Sequence, residues 1–380
     1  MPRRNTLREI AADLGLSVTT VSRALGGHSD VAAGTRERIR DAAERLGYVP
    51  NTAGKALVTG RSGFVALLLP LHDARPLDPF LGEFVGGLGG GLVERGRDLY
   101  LATVPPGRTE LEVLRHVAES GRADALVLTR VAEEDERVRF LAERGLPFIA
   151  HGRVLDTGRR YSWVDTDGAA AFGEAFELLH GLGHRAFGLV SITDPMTFRL
   201  VRESGLEDAI AHGGDATVSL TTARVSRFDA AERAAGIRAM LRRADRPTAL
   251  LALTDELALA ALEVARELGL EVPADLSIVG FDDLPGAAWA PPGLTTFDQR
   301  TRETAIELAH TLVEIIDGRT AEQRRLIRPH LVLRGSHGPV PETVRAASRS
   351  PNHPRSRGPS SARHDPARGP RTTDTEARTR

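Results

Sequence analysis

The chain of 380 residues contains no cysteine. Disulfides, thiolate metal centres and a cysteine nucleophile are therefore excluded. Lysine is almost missing too: Lys55 is the only one, and nearly all the positive charge is arginine, which reads as coding bias. No apolar run reaches 18 residues, and Met1-Pro2-Arg3-Arg4-Asn5 leads straight into a helical pattern with no apolar stretch behind it. A soluble, cytoplasmic protein with no membrane partner is expected. No Gly-x-Ser-x-Gly elbow occurs. Gly86-Gly87-Leu88-Gly89-Gly90-Gly91 lies inside a helical pattern, not at a strand–helix turn, so it points to close helix packing and not to a phosphate loop. Gly54-Lys55-Ala56 lacks both the first glycine and the following hydroxyl of a P-loop. His180 and His184 are four apart, but Gly181 and Gly183 stand between them and no carboxylate does, which argues against a metal pair. No enzyme, metal or cofactor is expected.

What is present is unevenly distributed. Residues 1–62 hold ten basic against six acidic side chains, and residues 339–380 hold nine against four. Net charge is −1 overall, so the middle carries about −10. A basic head on an acidic body suits a nucleic-acid-binding head. The length suggests two or three domains.

The organising stretch is Leu7 to Leu25. Leu7, Ile10, Ala11 and Leu14 share one helical face, and Gly15 follows where a left-handed residue ends a helix. Ser17 stands as the N-cap of a second helix whose Val21 and Leu25 point back to the first. Thr19, Thr20, Ser22 and Arg23 are left on the outer faces. This is the layout of a helix-turn-helix, although a generic helical hairpin has the same spacing. Residues 34–46 form a third amphipathic helix. Pro50 breaks the pattern, and 51–59 is either a linker or a hinge helix that inserts Leu57 into a minor groove.

From Phe64 the period changes. Strands at 64–69, 99–104, 125–128, 148–150, 186–190, 218–220, 249–253 and 276–281 alternate with helices at 80–95, 109–120, 133–144, 168–182, 197–212, 229–243 and 256–268. Such alternation predicts parallel sheets covered on both faces, and about 270 residues of it predict two lobes with a ligand cleft between them. Residues 339–380 have few large apolar groups and are expected to be a disordered basic tail.

Several motifs in one order then carry a resemblance. Thr20-Val21-Ser22-Arg23-Ala24-Leu25, Thr35-Arg36-Glu37-Arg38 and Leu46-Gly47-Tyr48-Val49-Pro50-Asn51 resemble the head of the lac/gal repressor (LacI/GalR) family of bacterial transcriptional regulators. Leu182-Gly183-His184-Arg185, Arg202 before Gly205, Thr254-Asp255, Val272-Pro273-Ala274-Asp275-Leu276-Ser277, Val279-Gly280-Phe281-Asp282-Asp283 and Pro292-Gly293-Leu294-Thr295-Thr296 resemble its sensor. The resemblance covers about residues 5–338. It implies an α-helical helix-turn-helix head at 1–50, a hinge helix and linker at 51–62, and a two-lobed α/β periplasmic-binding-protein-like domain with two parallel sheets at 63–338. One lobe would take about 63–162 and 292–325 and the other about 163–291 and 326–338, with crossovers near 163, 292 and 325.

The resemblance further implies a homodimer or a dimer of dimers on double-stranded, near-palindromic operator DNA. Val18, Thr19 and Arg23 fall on base-reading positions, and the Arg23 fork can pair bidentately with guanine. Thr20 and Ser22 suit phosphate oxygens, and Thr6, Ser17, Asn51 and Lys55 also fall in the DNA-binding set, with Leu57 as the minor-groove wedge. In the cleft, Phe80, Arg153, Arg202, Thr254, Asp255 and Asp282 fall on or near positions that contact a small effector, most often a sugar. Phe148-Ile149-Ala150-His151-Gly152-Arg153, with Tyr161 to Asp165 behind it, resembles the branch that senses glucosides. Effector and operator affinities would be coupled reciprocally, with an inducer and a corepressor both compatible. A solute-capture protein and an α/β enzyme are the competing readings; the head argues against the first and the absent catalytic constellation against the second.

The chain departs from the family pattern at several points. Ala32 stands where a capping serine is usual, Gly26 where Asn is common, and Gly54 and Ala56 where Ala and Ser are usual beside the hinge leucine. Gly54 costs a hinge helix roughly 1 kcal/mol against alanine. Thr254 replaces a frequent Asn.

Overall fold

The computed structural model describes residues 6–26, 30–48, 60–69, 79–155, 158 and 160–341. The hinge expectations on Asn51, Lys55 and Leu57 lie outside these residues, as does the tail from residue 342 on.

The head packs α1 (Leu7–Leu14), α2 (Val18–Leu25) and α3 (Ala33–Arg45) around Ile10, Ala11, Val21, Ala24, Ile39, Ala42 and Ala43. Ile10, Val21 and Ile39 are fully buried, each contributing about 1.5–3 kcal/mol of transfer free energy. Gly15 ends α1 at φ +65°, a conformation that costs glycine little. The Ser17 hydroxyl accepts the Thr20 amide at 3.0 Å and so caps α2. No side chain caps α3, whose cap residue is Ala32.

The rest of the chain alternates strand and helix: β1 (Phe64–Leu69), α4 (Pro79–Glu94), β2 (Asp98–Thr103), α5 (Glu110–Glu119), β3 (Ala125–Leu128), α6 (Glu136–Arg144), β4 (Phe148–His151) and β5 (Ser162–Thr166). Then come α7 (Gly168–Gly181), β6 (Ala186–Ile192), α8 (Thr197–Gly213), β7 (Ser219–Val225), α9 (Ala230–Leu241), β8 (Ala249–Ala252), α10 (Asp255–Glu267), β9 (Ser277–Val279) and α11 (Pro285–Trp289). The last elements are β10 (Thr296–Asp298), α12 (Thr301–Ile316), β11 (Arg324–Ile327) and β12 (His330–Val332).

Two parallel sheets result. The first has the order β11-β5-β4-β3-β1-β2, and the second β7-β6-β8-β9. Each is apolar on both faces, as helices on both sides require. Along β1, Val65, Leu67 and Leu69 face α4 and α12, while Ala66 and Leu68 join Leu114 and Leu141 on the other side. The glycine run of α4 serves close packing. A Cβ on Gly91 would lie 2.9 Å from the Ala309 Cβ of α12, and one on Gly87 would strike the Arg302 carbonyl.

The crossovers fall later than 163, 292 and 325. Strand β5 keeps 163–166 in the first sheet, and β11 keeps 326 and 327 there. Thr295 still bridges to Val279 of the second sheet, so the second crossing falls at β10, which pairs antiparallel with β12. The physical cause is pairing: β5 and β11 finish their parallel ladder before the chain can leave. The tail also starts later than 339, because Val340 is 8% exposed and donates its amide to the Leu182 carbonyl at 3.1 Å.

Candidate functional site

The outer face of the head displays Ser17, Val18, Thr19, Ser22 and Arg23 to solvent, with Thr20 half-buried. Val18 is 41% exposed, an apolar group with no core to join. The Ser17 and Thr20 hydroxyls lie 2.8 Å apart at the start of α2. Arg23 reaches Asp30 through an ion pair of 2.6 Å. Thr6 sits at the other end of the motif as the cap of α1, its amide donating to Glu9 Oε2 at 2.6 Å. Ser17, Thr19 and Thr20 stand at the first turn of α2, where free amides favour phosphate oxygens.

The second site is the cleft between the two sheets, with an empty volume of about 750 Å³ including its mouth. That is within the range of pockets that enclose small ligands. Phe80, Arg153, Arg202, Thr254 and Asp282 all line it. Phe80, Arg153, Thr254 and Asp282 come from the carboxyl-terminal side of a strand or from a helix start, where ligands of parallel sheets bind, and Arg202 from the second turn of α8. Arg202 projects from α8 and is 6% exposed. Its guanidinium lies over the Phe281 ring at 3.7 Å and near Phe198 at 4.8 Å, and it donates to the Leu253 carbonyl. Burial lowers its pKa to about 10, although Asp282, Asp165 and Asp255 pull the other way. Arg153 stacks over Trp163 at 4.9 Å and pairs with Asp165 at 3.2 Å. Burial pushes the Asp165 carboxyl up, with Arg153 and the Thr166 amide holding it back. Thr254 caps α10 by accepting the Leu257 amide at 3.4 Å.

Asp255 does not line the cleft. It is fully buried, and its carboxylate accepts the Leu284 amide at 2.8 Å and the Thr296 hydroxyl at 2.5 Å. Burial pushes its carboxyl up to about 6. The first turn of α10 directs it inward, where it ties the 282–284 loop to β10, so its task is to hold Asp282 in place. Asp282 needs that support, since its φ of +124° is strained for a residue with a Cβ.

Several lining residues were not singled out from the sequence: Arg130, His151, Asp165, Thr166, Arg227 and Gln299. Gln299 stands at a crossover and joins the lobes. It donates to Asp282 at 2.7 Å and accepts the Thr166 hydroxyl at 3.0 Å. The lobes also meet at the cleft rim. Ala132 and Met196 form an antiparallel bridge, Thr197 donates its amide to the Val131 carbonyl at 3.0 Å, and Arg199 pairs with Glu133.

The two histidines of the possible metal pair have separate partners. His180 bonds to Asp215 at 3.1 Å, and the fully buried His184 bonds to Thr248 at 2.9 Å and to the Gly338 carbonyl at 3.0 Å. Among the described residues no helix is long and apolar enough to cross a membrane.

Comparison with known proteins places both sites in one frame. The family model described as bacterial regulatory proteins, lacI family, matches residues 6–51, and the periplasmic binding protein-like domain matches residues 176–337. The HTH-type transcriptional regulator AglR of Rhizobium meliloti is 34% identical over 353 residues, covering 91% of this chain and 98% of that protein. CelR of Thermobifida fusca is 34% identical over 337 residues, covering 88% and 98%. The solved complex of the regulator CelR with cellobiose is 30% identical, with a TM-score of 0.64 over 88% of this chain and 100% of that chain. The lac repressor dimer bound to operator and the anti-inducer ONPF has a TM-score of 0.75 at 23% identity, covering 88% and 100%, and shares the fold. A helix-turn-helix head, two parallel sheets around a cleft and relatives matched over nearly their whole length agree: the chain belongs to the lacI family of bacterial regulatory proteins.

Proposed function

We propose that the protein is a sugar-responsive repressor that binds a near-palindromic operator as a dimer. The observation that supports this most is a cleft with ring-backed arginines and two carboxylates, Asp165 and Asp282, on the same chain as a helix-turn-helix head. Guanidiniums donate and carboxylates accept, which matches sugar hydroxyls, and Phe80 offers a flat apolar face to a pyranose ring. Val18, Thr19 and Arg23 read base edges, while Thr6, Ser17, Thr20 and Ser22 hold phosphates. Asn51, Lys55 and Leu57 complete the DNA contact from the segment between head and sensor. Ligand binding shifts the relative placement of the lobes, and that shift alters how the two heads of a dimer engage the operator. A β-linked glucoside such as cellobiose is the first ligand to try, given the CelR complex.

The test is to select bound fragments from random and genomic DNA with the purified protein at a stated salt concentration. The selection is repeated with a panel of α- and β-linked glucosides and galactosides. A palindromic site whose recovery changes with one sugar supports the reading. Recovery of no site with or without any sugar defeats it.

A further inference from the structure

The strongest unassigned feature of the cleft is His151. It is the last residue of β4, at the end of the strand where the chain turns into the cleft through Gly152, whose φ is +98°. Its ring sits between two phenylalanines, with centroids 5.5 Å from Phe80 and 5.1 Å from Phe84. Phe84 is fully buried and Phe80 lines the cleft, so the imidazole plane is fixed by packing on one side and by the site on the other. Among the described residues, neither ring nitrogen has a hydrogen-bond partner. His184 shows what a purely structural buried histidine does here: it spends both nitrogens on Thr248 and Gly338.

A polar edge left unbonded in a half-buried cleft costs free energy unless a ligand or water completes it. We propose that His151 is a specificity-determining contact of the effector, its imidazole edge taking one hydroxyl of a sugar ring whose apolar face lies against Phe80. This inference rests on the sugar reading above and specifies how that ligand is held.

The charge state supports it. Burial, and then the nearby Arg202 cation, hold the imidazole neutral by lowering its pKa to about 4. A neutral imidazole has one donor and one acceptor, and a hydroxyl can meet either. A carboxylate or phosphate can only accept and would be served better by the arginines. The lining thus divides its work: Arg153 and Arg202 donate, Asp165 and Asp282 accept, and His151 does either according to its tautomer.

Packing alone makes a rival account, because a ring between two phenylalanines also fills space. His151→Phe separates the two, since it keeps an aromatic ring and removes both nitrogens. His151→Gln restores a donor and an acceptor without the ring. Binding of the α- and β-glucoside panel is measured by calorimetry, together with analogues of the tightest-binding sugar that lack one hydroxyl at a time. The unfolding temperature is recorded to check folding. The expected result is a loss of tenfold or more in His151→Phe and a partial return in His151→Gln. One deoxy analogue, weak on the unmodified protein, should bind His151→Phe as well as its parent sugar does. Equal affinity of the unmodified protein and His151→Phe for the parent sugar overturns the proposal. If the unmodified protein binds no sugar of the panel, the sugar reading itself fails and this contact falls with it.

Discussion

The two recognition surfaces of this chain are built on opposite principles. On the head, the groups that face a partner are exposed and make few ties: Arg23 and Asp30 are each about half exposed in their mutual ion pair. In the cleft, Arg153 and Arg202 are each backed by a ring, and Arg202 is nearly out of solvent. The difference reflects the partner. DNA brings its own charge and water, so a solvated side chain can reach for it at little cost. A small ligand must be held inside, so its contacts are fixed in advance and desolvated before it arrives.

The sharpest way to break this contrast is to remove one arginine from each surface. Arg202→Met removes the guanidinium from over the Phe281 ring together with its donation to the Leu253 carbonyl. A loss of about 1–3 kcal/mol in unfolding free energy is expected from the lost buried hydrogen bond, along with loss of sugar binding. Urea denaturation followed by circular dichroism measures it. A loss below about 1 kcal/mol would mean that the cleft is wet and that water takes over the bond to the Leu253 carbonyl.

Backbone tolerance differs within the sensor as well. Gly87→Ala drives a methyl group into α12 and should cost about 1–3 kcal/mol, as overpacking does. Gly90 lies on the same helix with nothing within 4 Å of an added Cβ. Gly90→Ala should therefore gain roughly 0.5–1 kcal/mol from helix propensity alone. Equal unfolding midpoints for the two variants would show that α4 and α12 are not in close contact.

Arg23→Ala is the counterpart on the head. Its pair with Asp30 is exposed, so stability should change by less than about 0.5 kcal/mol. Operator preference should fall by about 1–3 kcal/mol at the one base pair that its fork reads. Gel shifts on operator and scrambled DNA, with sugar binding as a control, check both parts. A variant that still prefers the operator as strongly as the unmodified protein would remove α2 from the reading of bases.

How far each surface was legible follows from the same contrast. The head is local: Ile10, Gly15, Ser17 and Val21 lie within twelve residues, and helical periodicity gives their faces directly. The alternation through residue 281 was readable for a similar reason, since strands covered on both faces appear as apolar runs. Strand β5 was missed because Asp165 interrupts it, and β11 because Arg324, Arg325 and Leu326 are exposed at a sheet edge. The cleft is non-local. Thr166 and Gln299 bond across 133 positions, and no local pattern announces that. Phe80, Arg153, Arg202, Thr254 and Asp282 were placed by resemblance to a family, not by spacing. Asp255 fell to the same method, because motif position does not tell a group facing the ligand from one facing the core. His151 stood inside a quoted motif, but only the structure shows its nitrogens without partners among the described residues.

The smallest expected effect concerns helix ends. In the sensor, Asp135, Asp167, Asp229 and Thr254 each cap a helix through a side-chain oxygen. In the head, the cap residue of α3 is Ala32, which has no such oxygen although its φ of −53° and ψ of 141° would suit one. Ala32→Ser supplies the acceptor, with the Thr35 amide as its target three positions on. The gain should be about 1 kcal/mol for α3. Exchange of the Ile39 and Ala42 amides should slow by about fivefold, the factor that free energy corresponds to at room temperature. No slowing would mean that α3 is held by its contacts with Ile10 and Val21, so that its first turn frays without loosening the core, and the head would then differ from the sensor in depending on packing rather than on caps.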